Sequence, residues 1–120
     1  MTLAPETTDL MVQLRSADGW FTVCELRLLL PGRGVAALLP DGEQVAVFRD
    51  RGDRLYAVGN RDPFTGAAVL SRGLTGTHQG RPFVASPLLK QRFDLLSGQC
   101  LDDATVRVRA YEVRTVRAGD

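Results

Sequence analysis

At 120 residues with 44% hydrophobic side chains, the chain has the length and apolar content of one domain with one ordinary core. Its net charge of +1 arises from 15 basic and 14 acidic residues intermixed along the sequence, which argues against nucleic acid as a partner. The longest apolar stretches are strand-sized, so no membrane span is expected.

In chain order, Met1 to Thr8 lacks the basic region and apolar run of a signal peptide and reads as a disordered lead-in. The expected organisation is a flexible N-terminal segment over residues 1–18 and a single domain over 19–120. Asp18-Gly19 precedes a short strand at 21–24. Residues 26–30 could form one helical turn, which Pro31-Gly32 ends. A buried strand is predicted at 35–39, followed by the tight turn Pro40-Asp41-Gly42 and a returning strand at 44–49. In that returning strand Val45 and Val47 alternate with Ala46 and Phe48. Arg51-Gly52-Asp53 turns again into a strand at 55–58, completing a meander.

From Asn60 to Pro82 the periodicity fails in a long polar, glycine-rich loop, and such loops are often functional. Short strands follow at 83–85 and 91–95, then the turn Leu96-Ser97-Gly98-Gln99. The closing strand at 106–116 changes phase between Ala110 and Tyr111, as a bulge or a strand changing sheets would. Cys24 and Cys100 form no metal-ligand spacing and read as reduced structural thiols of a cytoplasmic protein.

Two segments carry a recognisable pattern: Asn60-Arg61-Asp62-Pro63-Phe64-Thr65-Gly66, and Ser86-Pro87-Leu88-Leu89 running on to Phe93-Asp94-Leu95-Leu96-Ser97-Gly98. They resemble the two cluster-binding loops of Rieske domains, Cys-Pro-His-x-Gly and Cys-Pro-x-His-Gly with a following Phe-Asp-Leu-x-Thr-Gly. The resemblance implies an all-β, Rieske-like antiparallel β-sandwich or barrel with a long two-loop subdomain. A Rieske [2Fe–2S] centre takes two thiolates and two imidazoles. Asp62 and Ser86 stand at the thiolate positions, and Phe64 and Leu89 at the imidazole positions. Phe and Leu offer no donor atom, so the expectation is a domain without a cluster.

Among such domains the chain is similar to the small subunit of assimilatory NAD(P)H-dependent nitrite reductase. Asn60-x-Asp62-Pro63-Phe64, Val69-Leu70-Ser71-Arg72-Gly73, Gly76-x-His78-Gln79-Gly80 and Ala85-Ser86-Pro87-Leu88-x-Lys90-Gln91-x-Phe93 carry that likeness. Leu89 departs from it, because the family often has Lys there. The likeness implies a subunit without cofactors or catalytic residues of its own, docked on a large subunit that holds siroheme, [4Fe–4S], FAD and the NAD(P)H site. Two alternatives stay open: a Rieske-like interaction module of another oxidoreductase, and an electron-transfer ferredoxin.

Phe64, Leu88 and Leu89 are expected together at the loop tip, either collapsed into the cluster's space or forming an apolar docking patch. Burying three such side chains is worth on the order of 5 kcal/mol. Asp62 can serve as a turn residue or contact a partner cation. His78 is either a hydrogen-bonding loop residue or an interface residue, and Lys90 either a solvated rim residue or a contributor to docking.

Overall fold

Val45, Ala46, Val47 and Phe48 are four consecutive buried residues, and a strand buried on both faces must lie between two layers. They belong to β4 (Gln44–Arg49), an inner strand of a four-stranded antiparallel sheet. Its neighbours are β3 (Gly34–Leu38) and β5 (Leu55–Gly59). Alternation sends Val45 and Val47 to one core, with Val12, Leu14, Leu29 and Ala57. Ala46 and Phe48 enter a second core with Tyr56, Val58, Val84 and Phe93. The expected meander is therefore present, and its middle strand is the wall shared by both cores. Each fully buried Val, Leu or Phe side chain among them contributes about 1.5–3 kcal/mol.

The structure, a computed structural model, describes residues 10–118 and is all-β, with ten strands in three antiparallel sheets. One outer sheet holds β1 (Leu10–Ser16) between β2 (Gly19–Glu25) and β10 (Val113–Arg117). The other outer sheet contains β6 (Leu74–His78), β7 (Arg81–Ala85) and β8 (Arg92–Asp94). The two-residue β9 (Ala110–Tyr111) pairs with β5 and completes the middle sheet. The phase change read at Ala110 and Tyr111 is thus a strand changing sheets: β9 serves the middle sheet and β10 pairs with β1.

Two expectations are corrected, and a third is met in shorter form. The flexible segment expected over residues 1–18 does not extend through Leu10–Ser16, which forms a strand paired on both sides with Val12 and Leu14 fully buried. The lead-in at residues 1–8 lies outside the described residues. The long irregular loop at 60–82 contains the 3-10 turn Leu70–Arg72 and all of β6. β6 is an exposed edge strand of Leu, Thr, Gly, Thr and His, with no apolar alternation; pairing with β7 makes it a strand. The expected helical turn near Leu26 is a 3-10 turn, Leu26–Leu28, whose backbone carbonyl, with that of Leu29, accepts from the Arg49 guanidinium.

Candidate functional site

The first loop leaves β5 at Gly59, and Asn60 fixes its course. This side chain is fully buried and bonds in two directions. Its Oδ1 accepts from the Ser71 backbone N–H at 2.7 Å, and its Nδ2 donates to Gln44 Oε1 at 3.3 Å. Asn60 therefore ties the loop to β4 and to the 3-10 turn at Leu70–Arg72. Its place in the Asn60-x-Asp62-Pro63-Phe64 motif does not by itself reveal this role, because Gln44 and Ser71 meet it only in the folded chain.

Asp62 follows, also fully buried. Its Oδ1 accepts from the Phe64 backbone N–H at 2.8 Å, and its carbonyl accepts from Gly66 N–H at 2.7 Å. This is the local turn expected of Asp before Pro63. Its other carboxylate oxygen, Oδ2, accepts from the Ser86 hydroxyl of the second loop at 2.6 Å. The two positions that would carry thiolates are thus joined to each other by a short, buried hydrogen bond.

Ser86 closes the second loop through its backbone as well. Its N–H donates to the Gln91 carbonyl at 2.9 Å, and its carbonyl accepts from Lys90 N–H at 3.1 Å. Lys90 takes a left-handed backbone, with φ of 70°, to complete the turn, and its Nζ reaches the Pro87 carbonyl at 3.3 Å. Leu88 and Leu89 project from this closed turn and are 50% and 54% exposed.

The expected apolar trio is therefore split. Phe64 packs on the second core, its ring centroid 6.2 Å from that of Phe93 at an interplanar angle of 51°. The ring has collapsed inward, while Leu88 and Leu89 stay at the surface. His78 is exposed at the other end of β6, where the β6–β7 hairpin pairs it with Arg81. Leu74, at the near end, pairs with Ala85 beside the second loop, so four strand residues, about 13 Å, separate His78 from that end.

Behind the second loop, the Asp94 carboxylate is fully buried against the Arg81 guanidinium and accepts from the N–H groups of Leu96 and Ser97 at 2.8 and 3.0 Å. Burial pushes its carboxyl upward. The Arg81 hydrogen bond, the two backbone donors and the Arg81 charge outweigh that and hold it below the usual carboxylate range. In the same turn Gly98 has φ of +80°, and a Cβ there would lie 2.0 Å from the Val108 carbonyl oxygen. The Phe-Asp-Leu and Ser-Gly framework thus builds a tight turn that brings residues 97–99 against 107–108.

These side chains do not fit a [2Fe–2S] cluster. The one carboxylate and one hydroxyl at ligand positions are spent on each other and on the loop backbone, and Phe64 packs against the core. No group of three or more His, Cys, Asp or Glu side chains is placed to hold a metal among the described residues. Cys24 and Cys100 are both free. Burial pushes the Cys24 thiol up, with help from the Glu25 charge, which suits a packed thiol rather than a reactive thiolate.

Comparison with known proteins gives a consistent set of likenesses. The Rieske-like [2Fe-2S] domain family matches residues 19–119. The nitrite reductase (NADH) small subunit of Salmonella typhimurium is 50% identical over 96 residues, covering 79% of this chain and 88% of that protein. The NMR structure of the Escherichia coli protein NirD superposes with a TM-score of 0.68 at 47% identity, covering 82% of this chain and 94% of that one. A nitrite reductase [NAD(P)H] large subunit from Klebsiella oxytoca is 42% identical over 95 residues, which span 79% of this chain and 10% of that protein.

Proposed function

The chain belongs to the Rieske-like [2Fe-2S] domain family and, within it, to the small subunits of NAD(P)H-dependent nitrite reductase, and from that premise we propose that it acts as a cofactor-free docking subunit. Its partner is the catalytic large subunit, in the cytoplasm, where nitrite is reduced to ammonium. Siroheme, [4Fe–4S], FAD and the NAD(P)H site belong to that partner. The small subunit contributes no acid, base, nucleophile or electron carrier, and acts by shaping the partner's surface.

The observation that carries this reading is the Asp62–Ser86 bond. Two loops that resemble cluster-binding loops are held together through their own side chains, so their shape survives without a cluster. What they display is Leu88 and Leu89, with Lys90 beside them. The Klebsiella large subunit supports the same reading from another direction, since a stretch like this chain forms part of its polypeptide.

The test is co-purification of the tagged chain with its large subunit, followed by nitrite-dependent NAD(P)H oxidation with and without the small subunit. Association is expected, and Leu88→Asp is expected to weaken it at least tenfold, an order of magnitude ordinary for a central apolar contact. Absence of association ends the docking reading. Iron in the purified small subunit, or visible absorption of the sulfide-to-iron type, ends the cofactor-free one.

A further inference from the structure

Beside the first loop lies a second surface feature that the loop tip does not explain. A cleft of about 510 Å³ runs between the β3–β4 turn, the start of the first loop and the segment leading into β9. Arg61, Arg107 and Arg109 line it, and Glu43 is its only carboxylate. All three arginines are exposed, and none takes part in an ion pair among the described residues. The ion-paired arginines are used differently: Arg27 holds a glutamate, and Arg49, Arg81 and Arg92 each hold an aspartate.

The cleft arginines hold neutral partners through their guanidinium groups. Arg61 donates to the Gly66 carbonyl, and Arg107 donates to the Ser97 carbonyl at 3.0 Å. The Arg109 guanidinium lies 4.8 Å from the centroid of the Tyr111 ring. These partners are neutral, so Glu43 is the one lining carboxylate set against three positive charges, and each guanidinium keeps further N–H donors for a planar acceptor such as a carboxylate. Three like charges held around one cleft repel one another, and an anionic occupant relieves that cost. The cleft is also continuous with the loop pair, because Arg61 and Pro63 flank Asp62.

We propose that this cleft receives the carboxylates of an acidic, extended segment of the large subunit. The inference rests on the docking reading above and adds the electrostatic part of the surface, beside the apolar tip of Leu88 and Leu89. A protein segment is the occupant favoured by the match of arginine forks to Asp and Glu side chains and by the continuity of the cleft with the loop pair.

The experiment uses the full chain, its large subunit and a labelled hexaglutamate peptide, with hexalysine as control. Arg107→Glu combined with Arg109→Glu should weaken large-subunit binding by about tenfold or more at roughly 50 mM salt, with the gap closing near 500 mM as charges are screened. Glu43→Lys should strengthen binding a few-fold, and this arm also serves if the double variant fails to fold, which thermal unfolding checks. Hexaglutamate should bind the wild-type chain and not the double variant. Equal binding of folded wild-type and double-variant chains at both salt levels overturns the cleft proposal and leaves docking intact. So does an unchanged affinity in Glu43→Lys, or indifference between hexaglutamate and hexalysine. Failure of the wild-type chain to bind the large subunit removes the docking reading itself and the proposed occupant with it.

Discussion

Within the second loop, residues 86–91, the base and the tip invert the usual rule of burial. Ser86, at the base, buries a hydroxyl completely, whereas Leu88 and Leu89 leave half of their surface in water. The base has a partner inside the molecule, Asp62, and Asp62 in turn has Phe64 N–H and Gly66 N–H. The tip has only the turn that presents it. Polar atoms are hidden where the fold can satisfy them, and apolar atoms are shown where nothing inside requires them. The base should therefore matter for stability and the tip for association.

The largest effect is expected at the base. Asp62→Ala leaves the buried Ser86 hydroxyl and the half-buried Phe64 N–H without their acceptor, and should cost about 3 kcal/mol. Thermal denaturation should show a melting temperature lower by about 10 °C or more. Ser86→Ala should cost less, and the double variant should reveal a coupling of about 1–2 kcal/mol. Additive single effects would mean that the loops are held together by something other than this bond.

Asp94 belongs with the base, since it too is buried with its partners. Asp94→Asn should cost about 1–2 kcal/mol at neutral pH, kept modest because the Arg81 side chain is itself 54% exposed. The folded carboxyl is held below its unfolded value near 3.9, so its stabilisation is complete above that value and is lost as pH falls below it. Urea unfolding should accordingly show the wild-type advantage shrinking below about pH 4. An advantage that grows on acidification would contradict this sign.

The smallest effect on folding belongs to the tip. Leu88→Asp should change stability by less than about 0.5 kcal/mol, measured by the same urea titration. A loss of several kcal/mol would place Leu88 with the base and dissolve the contrast.

Much of the scaffold could be read from local chemistry. Pro40-Asp41-Gly42 marked the β3–β4 turn, and Gly42 does take a positive φ of 91°. In the next turn Asp53, not Gly52, takes the left-handed position, with φ of 65°. β1 carries a local signal: Val12 and Leu14 alternate with Gln13 and Arg15 before Asp18-Gly19, which is a hairpin pattern. β6 was not legible, because its sequence gains strand character only from β7, and that pairing is a property of the assembled sheet. At the site, the substituted ligand positions were visible in the motifs. The inward turn of Phe64 toward Phe93 was not, since side-chain direction depends on a residue 29 positions away. The arginine cleft was hidden for the same reason: Arg61 meets Arg107 and Arg109 only once the chain has folded.

The pairing of β1 with β10 sets Leu10 opposite Arg117, so the two strands begin and finish at the same corner of one outer sheet. Neighbouring strands lie only about 5 Å apart, and such closeness of ends is what allows a domain to be grafted, inserted or circularly permuted. A longer polypeptide can therefore take up this fold through a single attachment point, with no connection crossing the loops. The Klebsiella oxytoca large subunit, of which a stretch is 42% identical to this chain, carries such a stretch as one part of a longer polypeptide.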